Sequence, residues 1–248
     1  MMPATAVVGM NVKVEIWSDV VCPWCYIGKR RFEAALAGFE HREQVEVVWR
    51  SFELDPSAPR SHSGAYAERL AAKYRMRVVE AQANIDHMVE VGAENGVVFN
   101  FDVAQPGNTF DAHRLLHLAL DRGKQDVLKE RFLAAAFTEG APIGDADALA
   151  ALATEVGLPP DDVRAVLDGD TYAADVRADE QRATMLGISA VPFFVVAERY
   201  GLAGAQPTEL ILQVLEDAWA ETAPVPASTG AQPEAAPGCA DDSCAIPN

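Results

Sequence analysis

The chain has 248 residues, half of them hydrophobic, and carries 20 basic against 37 acidic side chains, a formal charge of −17. That excess of negative charge argues against nucleic acid and anionic membrane surfaces, because both kinds of binding need Lys and Arg to neutralise phosphate. At roughly 150 residues per domain, the length allows one large domain or two small ones, so four cysteines are not needed as a disulfide scaffold.

No stretch reaches the roughly 20 apolar residues of a membrane span. The opening Met1–Met10 segment has no Lys or Arg ahead of its short apolar run, which does not read as a signal peptide, and Met10 is an alternative start. These features point to a cytoplasmic protein, where cysteines are more often catalytic, redox-sensing or metal-binding than structural.

From Asn11 to Val20 the residues Val12, Val14 and Ile16 recur at period two, which predicts a half-buried strand. It runs into Cys22-Pro23-Trp24-Cys25, after which Ile27, Phe32, Leu36 and Phe39 fall near helical spacing. A second β-rich run, Val45 to Phe52, completes a β-α-β unit with parallel strands. From about Gly64 to Gly187 the pattern is helical, with punctuation that separates five or six helices and a short extended connector at Val97 to Phe101. Val191 to Val196 reads as a strand, Tyr200 to Ala203 as its hairpin partner, and Pro207 to Ala220 as an amphipathic helix. The fold class is α/β, with four segments. A β-α-β half (10–63) and a β-β-α half (188–221) flank an all-helical insertion (64–187), and a Pro-, Ala- and Gly-rich tail (222–248) is expected to be flexible.

The first cysteine pair stands where a strand hands over to a helix. A helix N-terminus has unpartnered N–H groups and a partial positive charge, so Cys22 is expected to ionise readily and act as nucleophile. Cys25, one turn on, is placed to resolve the resulting mixed disulfide. Pro23 suits the first helical turn, and neither it nor Trp24 adds charge near the sulfurs. The competing readings are two packing cysteines or half a zinc site. For zinc, the other pair is Cys239 and Cys244, which lies 214 positions beyond Cys25 with C-x-x-x-x-C spacing, unlike the compact zinc modules. No metal site is expected.

Three groups of residues carry a family resemblance: Asp19 with Cys22-Pro23-Trp24-Cys25-Tyr26-Ile27-Gly28; Asn108-Thr109 with Ala112-His113-Arg114-Leu115; and Gly187-Ile188 with Val191-Pro192-Phe193. Over about residues 11 to 220 the chain resembles the DsbA-like branch of the thioredoxin superfamily. It is most similar there to FrnE-type members, which are related to 2-hydroxychromene-2-carboxylate isomerases and kappa-class glutathione transferases. The resemblance implies a thioredoxin fold split by a helical insertion, with Cys22 as nucleophile, Cys25 as resolving thiol and Pro192 as a cis-proline facing them. A cis bond there would leave the Val191 backbone free to pair with an extended substrate segment. Sequence alone leaves open an ordinary trans proline at a strand start. The related glutathione enzymes have serine where this chain has Cys22. The expected activity is therefore thiol–disulfide oxidoreductase or disulfide isomerase, with a place in oxidative-stress defence. Its partners are protein thiols and disulfides together with an oxidant or reductant protein or a low-molecular-weight thiol, and it needs no cofactor beyond its own disulfides. A glutathione-dependent isomerase or transferase is the alternative, and a redox-sensing or metal-binding partner protein a second.

Asn108, Thr109 and His113 match the family motif on the insertion and are candidates to face substrate, although a plain helix N-cap is the favoured reading of Asn108 or Thr109. His113 and His117 are four apart, a spacing that can hold a metal, but Leu115, Leu116 and Leu118 around them favour packing. Lys29-Arg30-Arg31 reads as a solvated helix face that can also bias the cysteines toward thiolate. In the tail, Cys239 and Cys244 are expected to form a second redox pair. A tether of about 17 residues has an end-to-end distance near ~23 Å, long enough to visit the first pair.

Overall fold

The computed structural model describes residues 11–62 and 64–222. The opening segment through Met10 and the tail, with Cys239 and Cys244, lie outside the described residues. Among the latter, no helix is long and apolar enough to cross a membrane.

Strand β1 (Val12–Ser18) leads into helix α1 (Pro23–Gly38), and β2 (Val45–Ser51) returns beside β1 in parallel register, Val12 opposite Val45. Seven helices follow: α2 (Tyr66–Tyr74), α3 (Val78–Glu94), α4 (Phe110–Asp121), α5 (Gln125–Ala134), α6 (Ala146–Glu155), α7 (Pro160–Asp168) and α8 (Ala173–Met185). Then come β3 (Phe193–Val196), β4 (Tyr200–Ala203) and α9 (Thr208–Thr222). The sheet order is β2-β1-β3-β4, with β3 antiparallel to both β1 and β4.

Seven helices stand where the sequence predicts five or six, because the three-residue break between α2 and α3 carries no Gly or Pro to mark it. Arg75, at φ 53°, separates α2 from α3, and Gly123, at φ 65°, separates α4 from α5. A left-handed residue ends a helix without needing a loop, and an arginine gives no warning of one. The Val97–Phe101 segment is extended and unpaired, with Val97, Phe99 and Phe101 buried and Val98 exposed. It is tied down by Asn100 N–H donating to the Phe137 carbonyl at 2.7 Å.

The half-buried reading of β1 is corrected by its central place in the sheet. Val12, Val14 and Ile16 pack under Phe32 and Ala35 of α1 and Ile211 and Leu215 of α9. The opposite face is covered as well, because Trp17 packs against Ala183 of α8 and its indole N–H donates to the Asp179 carbonyl at 3.0 Å. Glu15 is therefore only 1 % exposed, and Arg50 and Arg182 close on it at 2.5 and 2.6 Å. A buried carboxylate persists only when so paired.

The insertion has its own core, in which Leu115 and Leu118 of α4, Leu128 and Phe132 of α5, Leu149 of α6 and Val163 of α7 interlock. Val20, in the turn before α1, and Tyr26 and Ile27 at its head belong to that same core. The start of α1 is thus wedged into the helical layer while its later turns lie on the sheet. This wedge places the cysteine pair at the seam between the two.

Candidate active site

Cys22 is the N-cap of α1, with extended backbone, and Pro23 occupies the first turn. Both Cys22 and Cys25 are free thiols. Cys22 keeps 5 % exposure and Cys25 none, so only Cys22 can meet an incoming disulfide first. Trp24, 38 % exposed, stands between them as an apolar surface beside the sulfur. The Cys22 thiol donates to the Val191 carbonyl at 3.6 Å, and the Val191–Pro192 peptide bond is cis. The Pro192 carbonyl accepts from the Gly204 N–H at 2.8 Å, which fixes the loop to the start of the next segment.

The electrostatics reverse the expectation from the helix terminus. The hydrogen bond to Cys25, followed by burial and the charge of Cys25, pushes the Cys22 thiol well above its ordinary pKa, and the Asp19 carboxylate adds to this. For Cys25, burial opposes ionisation, but the hydrogen bond from Cys22, the charge of Lys129, the neighbouring Ser18 hydroxyl and the Asp19 backbone N–H together lower its pKa. The two thiols are thus shifted in opposite directions, Cys22 upward and Cys25 downward, because the groups that favour an anion are gathered around Cys25. The helix N-terminus is present, as predicted, but is outweighed by the deeper pocket.

That pocket is built largely by residues with no local motif. Asp19 is fully buried, and its carboxylate accepts from the Val20 N–H at 2.7 Å and the Leu54 N–H at 2.8 Å. It also meets His113 Nε2 at 3.3 Å. Burial works against its charge, but the His113 contact and these N–H bonds win, and its pKa is lowered. Lys129, on α5, is fully buried as well; its ammonium donates to the Ser18 carbonyl at 3.1 Å and lies 5.5 Å from the centre of the Trp49 ring. Burial brings its pKa down from 10.5 to about 8, against the opposite pull of Cys25, Asp19 and Cys22. Tyr66, at the head of α2, flanks the site, and burial followed by the charge of Cys22 pushes its pKa up to about 12.

The linkage for Lys129 gives a test of stability. Between pH 8 and 10.5 its unfolded form binds a proton that the folded form does not, so its contribution improves as pH rises through that window. At neutral pH the penalty is roughly 3 kcal/mol at 1.36 kcal/mol per pKa unit. Lys129→Met in the reduced protein is expected to be more stable than the parent at pH 7, with the difference shrinking at pH 10, as read by urea unfolding at both pH values. A variant that is equally stable or less stable at pH 7 contradicts this account.

The motif residues of the insertion turn inward. His113 is 0 % exposed and spends Nε2 on Asp19, so it does not face substrate. Thr109 is buried at the head of α4 and makes no side-chain cap bond. Asn108 accepts from the Phe110 N–H at 3.0 Å and donates to the Pro56 carbonyl at 3.3 Å, while its own N–H donates to Pro59 at 2.9 Å. It therefore pins the 52–62 strand-to-helix connection to α4. Arg114 donates to the Val166, Gly169 and Thr171 carbonyls and caps the end of α7. His117 Nε2 lies 3.1 Å from the Ser51 hydroxyl and 3.2 Å from Asp179, so the two histidines serve different partners. Among the described residues no cluster fit to hold a metal is formed.

The Lys29-Arg30-Arg31 run is corrected too. Lys29 is 1 % exposed and lies between Glu33, Asp126 and Glu130, Arg30 pairs with Glu33 and Glu130, and Arg31 donates to the Ala205 carbonyl at 2.6 Å. The run clamps α1 to α5 and to the segment after β4 because the insertion covers a face that an isolated helix would leave to solvent.

The family model of the DsbA-like thioredoxin domain matches residues 13–216. The chain belongs to that family, and at the family level it is a thiol–disulfide oxidoreductase. It is 32 % identical over 215 residues to the uncharacterised protein YwbO of Bacillus subtilis (strain 168), covering 84 % of this chain and 98 % of the relative. A structure described as a probable DsbA oxidoreductase from Streptomyces coelicolor superposes with TM-score 0.82 at 44 % identity, over 96 % of this chain and 100 % of that one. A 2-hydroxychromene-2-carboxylate isomerase shares the fold at TM-score 0.58 and 13 % identity, over 84 % of this chain and 95 % of that one.

Proposed function

We propose that this chain is a cytoplasmic thiol–disulfide oxidoreductase or isomerase acting on protein disulfides by direct exchange at Cys22 and Cys25. The observation that carries the reading is the asymmetry of the pair, in which Cys22 keeps residual exposure and its thiol hydrogen-bonds the Val191 carbonyl while Cys25 is closed off. Cys22 gives up its proton to water and attacks one sulfur of the substrate disulfide as thiolate. The substrate S–S bond breaks, and its departing sulfur takes the electron pair and a proton from water. Cys25, having lost its proton to water, then attacks Cys22. The Cys22–substrate bond breaks as the Cys22–Cys25 bond forms, and the second substrate sulfur leaves as a thiolate. The substrate gains two electrons and the pair loses two; the reverse sequence oxidises a dithiol.

The sulfurs carry the electrons, so this reading assigns no metal or organic cofactor. The partners are protein thiols and disulfides, with a low-molecular-weight thiol or a second redox protein restoring the pair. The similarity to the Streptomyces coelicolor protein supports oxidoreduction. In the same reading, the tail cysteines Cys239 and Cys244 exchange electrons with the front pair, and the setting is oxidative stress. Cys25→Ser should stop the cycle at the mixed disulfide. Incubated with a protein disulfide, that variant should accumulate a covalent adduct that dithiothreitol releases, seen as a mass increase on non-reducing gels. Absence of an adduct overturns the proposal.

A further inference from the structure

A cleft of about 330 Å³ lies where the edge of β2 meets the end of α4 and the head of α8, and neither active-site cysteine lines it. The charges around it are unequally spent. Arg50 gives Nε and Nη2 to Glu15 and Nη1 to Asp179, so its cation is neutralised inside the fold. Asp179 is filled as well, one oxygen by Arg50 and the other by the Ser51 N–H at 2.9 Å and His117 Nε2 at 3.2 Å. Two carboxylates remain. Asp121 accepts the Tyr172 hydroxyl on Oδ2 at 2.6 Å and keeps Oδ1 free, and Asp175 is exposed with no hydrogen-bond or ion-pair partner among the described residues. The adjoining cation, Arg122, is taken by Asp162 at 2.6 Å.

A buried neutral acceptor joins the two carboxylates. His117 lines the cleft and is only 8 % exposed. A carboxylate can only accept, so the contact with Asp179 puts the imidazole proton on Nε2 and leaves Nδ1 a bare acceptor. Nδ1 has no hydrogen-bond partner among the described residues, although a polar group so nearly buried is ordinarily satisfied. The Tyr172 ring lies almost parallel to the imidazole, at 15° with centres 6.2 Å apart, and Leu120 adds an apolar wall. The cleft thus offers acceptors, two unspent negative charges and an aromatic face, with no cation left to receive an anion. We infer that it binds a small organic cation, an alkylamine whose ammonium takes Asp175 and Asp121 as counter-charges and donates to His117 Nδ1, with its methylenes on Tyr172 and Leu120. The ligand is an amine and not a metal ion, because the cleft's side chains form no cluster fit to hold a metal. This site is additional to the exchange chemistry at the cysteines and does not depend on it.

The test uses putrescine as the probe, titrated calorimetrically into the full chain, and one saturable site of sub-millimolar Kd is expected. Asp175→Asn should weaken it about tenfold, the loss of one charge-assisted hydrogen bond. Asp175 makes no side-chain contact in the fold, so this variant should unfold within a few degrees of the parent. Glu216→Gln removes another exposed charge, on α9, and should leave binding unchanged, which separates a built site from the general attraction of a chain of charge −17 for cations. In proton NMR spectra the imidazole signals of His117 should move as putrescine is added, while those of His41, stacked on Trp219, should not. Absence of saturable binding overturns the inference, as does equal weakening by the two variants or an unmoved His117 signal at saturation. Displacement of putrescine by magnesium chloride beyond that by sodium chloride of equal ionic strength overturns it too, by making the cleft a metal site.

Discussion

Cys22→Ser is expected to lose disulfide turnover by about a thousandfold or more, because a serine hydroxyl remains protonated where a thiol can ionise. At 1.36 kcal/mol per decade that is about 4 kcal/mol of barrier. The loss is chemical and not a matter of folding. Cys22 occupies the N-cap of α1 without a side-chain cap bond, and serine is among the best N-cap residues, so the variant should be at least as stable as the parent. The substitution also separates two kinds of chemistry. An enzyme that uses glutathione as its working thiol would tolerate serine at this position, whereas direct exchange cannot proceed without the Cys22 sulfur. Reduction of insulin disulfides, followed by turbidity with thermal unfolding measured in parallel, checks both halves. Retained turnover in a folded variant removes Cys22 from the mechanism.

What the sequence made legible follows from the range of each signal. The strand-to-helix position of Cys22 and Cys25 could be read because the alternation of Val12, Val14 and Ile16 and the helical spacing after Cys25 are local. The sheet could be read for the same reason, since its strands adjoin turns and a hairpin. Lys129 carried no such mark. It is 104 positions beyond Cys25 in a helix of ordinary pattern, and only the packing of α5 on β2, through Gln125 and Asp126 against Trp49, brings its ammonium to the Ser18 carbonyl. Asp19 was visible as part of a motif, but its work of joining the Leu54 N–H to His113 needs partners from three separate segments. The same long-range packing shifts the two thiols in opposite directions, Cys22 upward and Cys25 downward. A helix terminus is a local field, and it loses to a buried cation and to hydrogen bonds that no spacing rule reports. It likewise turned His113 inward and buried Lys29, since a polar residue reads as exposed until another layer covers it.

The second large effect is expected at Gly28, the residue where α1 meets the loop opposite the cysteines. A Cβ there would stand 2.8 Å from Cγ of Pro192, 3.5 Å from its Cβ and 3.6 Å from Cζ of Phe194. The first distance is too short for two carbons, so α1 or the proline must move. Helix propensity opposes that strain, because alanine is better than glycine inside a helix by about 1 kcal/mol. Overpacking in a buried seam costs about 1–3 kcal/mol, which leaves Gly28→Ala folded and at most modestly destabilised. Function has less margin, because the Pro192 ring adjoins the Val191 carbonyl that receives the Cys22 thiol at 3.6 Å. A displacement of about 1 Å at a reacting centre can cost about a hundredfold in rate. Gly28→Ala should therefore lose about ten- to a hundredfold in kcat/KM toward a protein disulfide while keeping a cooperative thermal transition within a few degrees of the parent. Gly38 is the control, since a Cβ there meets only Leu212 at an ordinary 3.7 Å, and Gly38→Ala should leave turnover unchanged. If both variants turn over like the parent, the contact between α1 and Pro192 does not set the geometry of the site.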